Sequence, residues 1–311
     1  MVAPRGRAGR LDRSPSAPRP IAPAWACGIL ALLIAVAARA GTPGLPFLAL
    51  GSGARSAALA EAMTAVPDPE AAATNPAALA VRGRGTVSLT HGAWIQGIDH
   101  DALSLVRTWG AAVVGASAQL VQADGLERRT GPSAAPLGTF GVYEGTAGVT
   151  AALGWRGGIR LGVGARLVRQ AVGTETANGA GIDLGGLYPL DQVGLTVAAS
   201  LLNLGAMSDL GREATPLPRS VRLGLAYTGL PRLLASAELQ RTRGSGSTGH
   251  LGAEFAAHSR LALRAGYQTG ESRGLSAGLG VQVGRWALDY AYLPFDHGLG
   301  EAHRLGIQLS R

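Results

Sequence analysis

Apolar and polar residues alternate with a period of two along most of this chain. Around Ile159 one parity reads Ile159, Leu161, Val163, Ala165, Leu167, and the other reads Arg160, Gly162, Gly164, Arg166. The same division recurs at Val221, Leu223, Leu225, Tyr227 against Arg222, Gly224, Ala226, Thr228, and at Leu261, Leu263, Ala265, Tyr267 against Ala262, Arg264, Gly266, Gln268. His303, Leu305, Ile307, Leu309 against Arg304, Gly306, Gln308, Ser310 closes the series. Alternation of this length predicts strands with two chemically distinct faces. No stretch after Thr86 carries a 3.6-residue period.

About 14 strands are expected on this pattern. They span residues 85–93, 100–108, 111–122, 146–155, 158–169, 180–188, 192–203, 219–228, 232–241, 248–257, 260–268, 274–283, 285–293 and 301–310. The connections sort by parity. Those after odd-numbered strands read as long, above all Ala123–Gly145, Gln170–Gly179 and Leu204–Pro218, whereas those after even strands are tight, as at Trp109-Gly110 and Gly284. One rim of short turns and one of long loops, with an even number of strands, predicts an all-β, antiparallel transmembrane barrel of the outer membrane. A soluble periplasmic β protein is the alternative that lacks a reason for this sorting.

The two faces assign the solvents. The bulky parity carries no charge in the four strands quoted, as lipid contact demands. The charges Arg160, Arg166, Arg222, Glu238, Glu254, Arg264, Asp289 and Arg304 are expected to face the lumen, because a basic side chain facing mid-membrane lipid costs about 2–4 kcal/mol. Trp286, Leu288, Tyr290 and Tyr292 share the outward parity, and Tyr227 and Tyr267 at strand ends fit the interfacial girdle.

Two N-terminal segments break the alternation. Residues 1–40 combine five arginines before Pro20, an apolar run from Ala24 to Ala38 and the small-residue site Ala38-Arg39-Ala40, which is the form of a secretory signal peptide. The single cysteine, Cys27, lies within it, so the exported chain has no thiol. Residues 41–84 are Ala-rich and cut by proline, predicting short helices and turns. Placed ahead of the first strand, they are expected to plug the lumen of the barrel formed by 85–311.

Composition then removes other classes. Charged residues make up 15% and Gly 47 of 311, without a collagen period. The net charge of +8 suggests nucleic acid only until it is located: residues 1–40 carry +5 of it, leaving +3. No nucleic-acid partner is expected. The six histidines are scattered without metal-ligand spacing, no G-x-S-x-G occurs, and Gly-rich stretches lack phosphate-loop spacing, so no metal, cofactor or enzymatic activity is expected. Ser259 and His258, adjacent on a strand, would face opposite ways and not pair.

The plug segment carries a recognisable set of motifs. Gly53-Ala54-Arg55 precedes Thr64-Ala65-Val66 with Asp68, and Asn75-Pro76-Ala77 with Leu79 follows. With Leu202-Asn203-Leu204-Gly205, Pro216-Leu217-Pro218 and Asp289-Tyr290-Ala291-Tyr292, this set resembles the PorV/PorQ family of outer-membrane barrels, relatives of the FadL-type transporters. The chain departs from that pattern in ending Leu309-Ser310-Arg311 rather than near an aromatic residue. The resemblance implies the outer membrane of a diderm bacterium and a role in type IX-like secretion or surface attachment. Its partners would be a translocon and cargo proteins, met through the loops Ala123–Gly145 and Leu204–Pro218. The alternative it implies is a FadL-like transporter of hydrophobic small molecules, with a lateral opening and an apolar cavity beside the plug. In either case Glu238 and Glu254 with Arg222 and Arg264 form a selectivity ladder or, as preferred here, ion pairs that hold the lumen and dock the plug. Plug docking and turn formation are likewise preferred over a gate for Arg55, Asp68 and Asn75.

Overall fold

In a computed structural model, the described residues are 45–81, 83–132, 134–270 and 273–311. The expected signal segment, Cys27 and the start of the plug segment, residues 41–44, lie outside them.

The period-two alternation produces fourteen strands: β1 Gly85–Ala93, β2 Ile98–Trp109, β3 Ala112–Arg128, β4 Gly138–Gly154, β5 Arg160–Val172, β6 Glu175–Leu190 and β7 Leu195–Met207. The second half comprises β8 Ser220–Tyr227, β9 Leu233–Thr242, β10 Gly246–His258, β11 Leu261–Gln268, β12 Leu275–Val283, β13 Trp286–Pro294 and β14 Glu301–Ser310. Each pairs antiparallel with its neighbours in sequence, and β14 closes onto β1 with Val87 opposite Leu309 and Leu89 opposite Ile307. Closure leaves no strand edge unpaired, the condition for a sheet to stand in lipid.

The outward parity is the bulky one. Leu89, Val149, Leu161, Leu167, Leu239 and Leu305 are each more than half exposed, a surface that only hydrocarbon would solvate. The rim of short turns carries outward aromatics from five hairpins: Trp109, Trp155, Tyr188, Tyr227 and Trp286. Tyr143 and Tyr267 occupy the opposite end. These are the girdles of an outer-membrane barrel.

The loops are shorter than the alternation predicts. Ala123–Gly145 is mostly strand: β3 runs on to Arg128 and β4 begins at Gly138, leaving residues 129–137 as the connection. Gln170–Gly179 shrinks to Gly173-Thr174, between β5 and β6. Of the long loops, residues 208–219 remain. A strand of 17 residues at ~3.3 Å per residue and a tilt near 45° rises about 40 Å, against an apolar band of about 25 Å. The β3–β4 hairpin therefore stands out of the membrane. Beyond the bilayer neither face meets lipid, so the alternation that marks a strand disappears while the hydrogen-bonded ladder continues.

Inside the barrel, residues 45–81 form short elements: a turn of 3-10 helix at Pro46–Ala49, helix α1 at Ala54–Ala58, and further 3-10 turns at Ala71–Ala73 and Pro76–Ala78. They are almost entirely buried against the inner parity of the wall. Ala54, Ala57 and Ala58 pack on Ala291, Leu293 and Ala302, while Leu79 and Ala72 meet Val106 and Ala152. The two arms of the segment are tied by a bridge in which Asp68 N donates to Ala78 O and Ala80 N to Asp68 O, both at 3.1 Å.

Candidate functional site

Three sets of contacts join the N-terminal segment to the wall. The first is ionic. Arg55, on α1, reaches Glu254 on β10 with Nε and Nη2 at 2.8 and 2.9 Å, and donates from Nη1 to Asp68 at 2.9 Å. Arg264 on β11 donates to the same Glu254 and to Asp289 on β13, both at 2.6 Å. Burial works against the Arg55 charge, but the bonds and charges of Glu254 and Asp68 raise its pKa above the ordinary arginine value. Plug and wall thus share one network across three strands.

The second set is a wedge. Asn75 caps the Pro76–Ala78 turn by accepting from Ala77 N at 2.9 Å, and its amide donates to Thr64 O at 2.7 Å and Gly186 O at 3.3 Å. A Cβ at Gly162 on β5 would collide with the backbone of Pro76 and Ala77, and one at Gly185 on β6 with the Asn75 side chain. The inner-face glycines are there because backbone meets backbone. The same holds at Gly224, where a Cβ would stand 2.8 Å from Thr64 Cβ.

The third set caps plug carbonyls with wall arginines. Arg160 donates to Leu79 O, Arg222 to Ala49 O, Arg166 to Ala72 O at 3.3 Å, and Arg304 to Gly51 O at 2.7 Å. Arg222 also pairs with Glu238 at 2.9 Å, which accepts from Thr64 N at 3.0 Å, and Arg166 Nε donates to Asp183 at 2.6 Å. Every charge singled out from the sequence is therefore engaged by the plug or by a neighbouring strand. Gly53 is the residue before α1, where a side chain would run into the Glu70 carboxyl.

Several working residues carried no sequence signal. Glu61 is buried, accepts from Gly51 N at 2.7 Å and from Ser56, and stands 3.8 Å from Arg304. Burial opposes its ionisation, yet Arg304 and Arg273 hold its carboxyl below the ordinary range. Asn203, read only as part of a motif, adopts φ 60° at a β-bulge in β7 and bonds Asp183 and Pro218. The Ser259–His258 expectation is corrected: the two lie where β10 turns into β11, so Ser259 Oγ and His258 Nδ1 approach to 3.4 Å on the exposed surface. No acid completes that pair among the described residues.

The free space is distributed unevenly. At the loop end of the lumen a polar vestibule of about 160 Å³ is bounded by Glu61, Gln240, His250, Gln268 and Arg273. Beside it lies an apolar cluster, Val168 and Leu217 with Val121 and Met207, filled by Leu45, Phe47 and Leu48 of the plug. Behind the β3–β5 wall the inner space near Ala72, Ser117, Gly148 and Arg166 is only about 10 Å³. Outside that same wall runs an apolar groove of about 1060 Å³ floored by Ala116, Ala151 and Ala165. The ladder between β3, β4 and β5 continues along this wall, interrupted among the described residues by a bulge at Asp124-Gly125 in β3.

The architecture has known counterparts. The Ralstonia pickettii toluene transporter TbuX matches over 85% of this chain and 98% of its own, with 15% identity and a TM-score of 0.60. The fold is similar to that of FadL-type barrels. The Pseudomonas putida toluene transporter TodX matches over 84% of this chain and 96% of its own, at 14% identity and TM-score 0.64. A Pseudomonas aeruginosa FadL homologue matches over 87% and 100%, at 12% identity and TM-score 0.60. No protein-family model matches the chain, and no curated protein does. The matches agree with the all-β closed barrel of fourteen strands, whose outward apolar face is that of an outer-membrane protein of a diderm bacterium, and none of these proteins is described as an enzyme.

The PorV/PorQ resemblance is corrected by these matches, and with it the secretion role, the translocon and the cargo proteins. The physical reason lies in what the shared residues do. Arg55, Asp68 and Asn75-Pro76-Ala77 fasten the N-terminal segment inside the barrel, and a fastening says nothing about what the barrel carries.

Proposed function

We propose that this protein is an outer-membrane channel for small hydrophobic molecules of the size of a monoaromatic hydrocarbon. The observation that carries the reading is the apolar cluster at the loop end of the lumen. Barrel interiors of this kind are polar, and here the inner parity carries buried arginines, carboxylates and hydroxyls alongside apolar residues that are mostly alanines, such as Ala102, Ala152 and Ala291. Val121, Val168, Met207 and Leu217 instead gather larger aliphatic side chains at the loop end, on three strands and a loop, and form a site that an apolar solute would prefer to water. The plug, residues 45–81, closes the axial route to ions and sugars. The lumen charges hold it in place. An apolar solute does not need an aqueous pore, because the wall beside the plug is itself bordered by hydrocarbon.

The likeness to toluene transporters agrees with this reading. The test is uptake of labelled toluene by cells carrying the full-length protein, compared with cells carrying an empty vector. Faster toluene uptake with unchanged sugar permeability supports the proposal. Sugar passage without a gain in toluene uptake would overturn it.

A further inference from the structure

We infer that the outer groove on β1–β5 is a specific binding site for one diacyl phospholipid of the periplasmic leaflet. The groove runs where alanines take outward positions on three adjacent strands, Ala116 on β3, Ala151 on β4 and Ala165 on β5, with Val149 between Ala116 and Ala165 in the ladder. Leu105, Val87 and Leu309 line one side and Val163 the other, so the trough is apolar throughout. At about 1060 Å³ it is larger than a monoaromatic molecule and matches a pair of acyl chains.

Charge complementarity fixes the occupant. The groove ends at the rim of short turns, which faces the periplasm. There Arg84, Arg107 and Arg311 border it, all exposed, with Trp109 three-quarters exposed beside them. The backbone holds them together: Arg84 N donates to Arg311 O at 2.6 Å, and Arg107 lies opposite Gly85. None of the ion pairs among the described residues engages Arg84 or Arg107. Two unpaired guanidinium groups at the headgroup level, at the end of an apolar trough, suit a phosphodiester with two chains. The periplasmic leaflet of an outer membrane is built of such lipids. The inference rests on the barrel and its orientation and not on the transport proposal.

The test is native mass spectrometry of the full-length protein extracted in mild detergent, with add-back of phosphatidylglycerol in mixed micelles. One phospholipid should remain on each barrel. Arg84→Gln with Arg107→Gln should lower its retention about tenfold, and Ala151→Trp, which fills the floor, should also abolish it. Arg169→Gln at the opposite rim should leave it unchanged. All variants should keep the heat-modifiable migration of a folded barrel. Four results would overturn the inference: no retained lipid on the wild type, retention indifferent to both variants, displacement of the lipid by toluene, or a dimer sealed across this face.

Discussion

The guanidinium of Arg55 forks onto the carboxylate of Glu254, 199 residues away in sequence, and the carboxylate is shared with Arg264. Breaking a buried pair by removing one partner is much worse than never having built it, because the other charge is stranded; such losses run to about 3–5 kcal/mol. Glu254 keeps Arg264 when Arg55 is removed, which favours the lower end. Arg55→Met should therefore lower the thermal unfolding midpoint and, by loosening α1, raise ion conductance in planar bilayers. Arg55→Met combined with Glu254→Gln should regain part of the stability. A double variant no better than the single one would show that the fork does not hold the plug.

Gly185 and Gly186 are neighbours on β6 with opposite outlooks. A methyl group at Gly185 would strike the Asn75 side chain, and one at Gly186 meets nothing within 4 Å. Gly185→Ala should displace the Asn75-Pro76-Ala77 turn and expose the plug to protease added from the periplasmic side. Gly186→Ala should match the wild type in protease resistance and in melting. Equal behaviour of the two would mean that the turn does not bear on this wall.

Glu70 sits inside the barrel, accepting from Thr90 at 3.1 Å and from Gln308 at 3.3 Å. Burial, with the nearby Asp68 charge, pushes its carboxyl up to about 8. A carboxyl whose folded pKa lies above its ordinary value of 4.5 stabilises the folded state fully below that value. The contribution is lost as pH rises through 8. The wild type should melt at a lower temperature at pH 9.5 than at pH 6.0. Glu70→Gln, permanently neutral, should flatten that difference, and an unchanged pH dependence in this variant would assign it to another group.

Much of the barrel was legible because lipid imposes a rule on every second residue. Leu161, Val163 and Leu167 declare their face, and Arg160 and Arg166 declare the other. The rule lapses where the membrane ends, which is why Ala123–Arg128 and Gly138–Gly145 read as loop though they belong to strands. Asn75 was legible as a turn residue, but its bonds to Thr64 O and Gly186 O depend on how the plug lies against β6. The second partner of Arg264 was hidden for a similar reason. Arg264 faces Glu254 in the β10–β11 register, and Asp289 comes within reach only across the glycines of β12. What the barrel carries was least legible, since Phe47 and Leu48 gave no alternation and no motif.

Those two residues lead to the remaining prediction. Phe47 is 4% exposed and Leu48 2%, and both fill the apolar cluster of Val121, Val168, Met207 and Leu217. Phe47→Ala should destabilise the protein by about 3–5 kcal/mol if the site cannot collapse around the gap. Three of the lining residues belong to strands locked in the ladder, so collapse is restricted. A cavity left by phenylalanine and lined by aliphatic side chains stays dry and accepts a benzene-sized molecule. Toluene should then raise the melting temperature of Phe47→Ala well above its effect on the wild type, because an apolar ligand replaces the missing ring. Glucose should do nothing for either. If toluene stabilises the two proteins equally, the cluster is plug packing alone and the solute site lies elsewhere in the barrel.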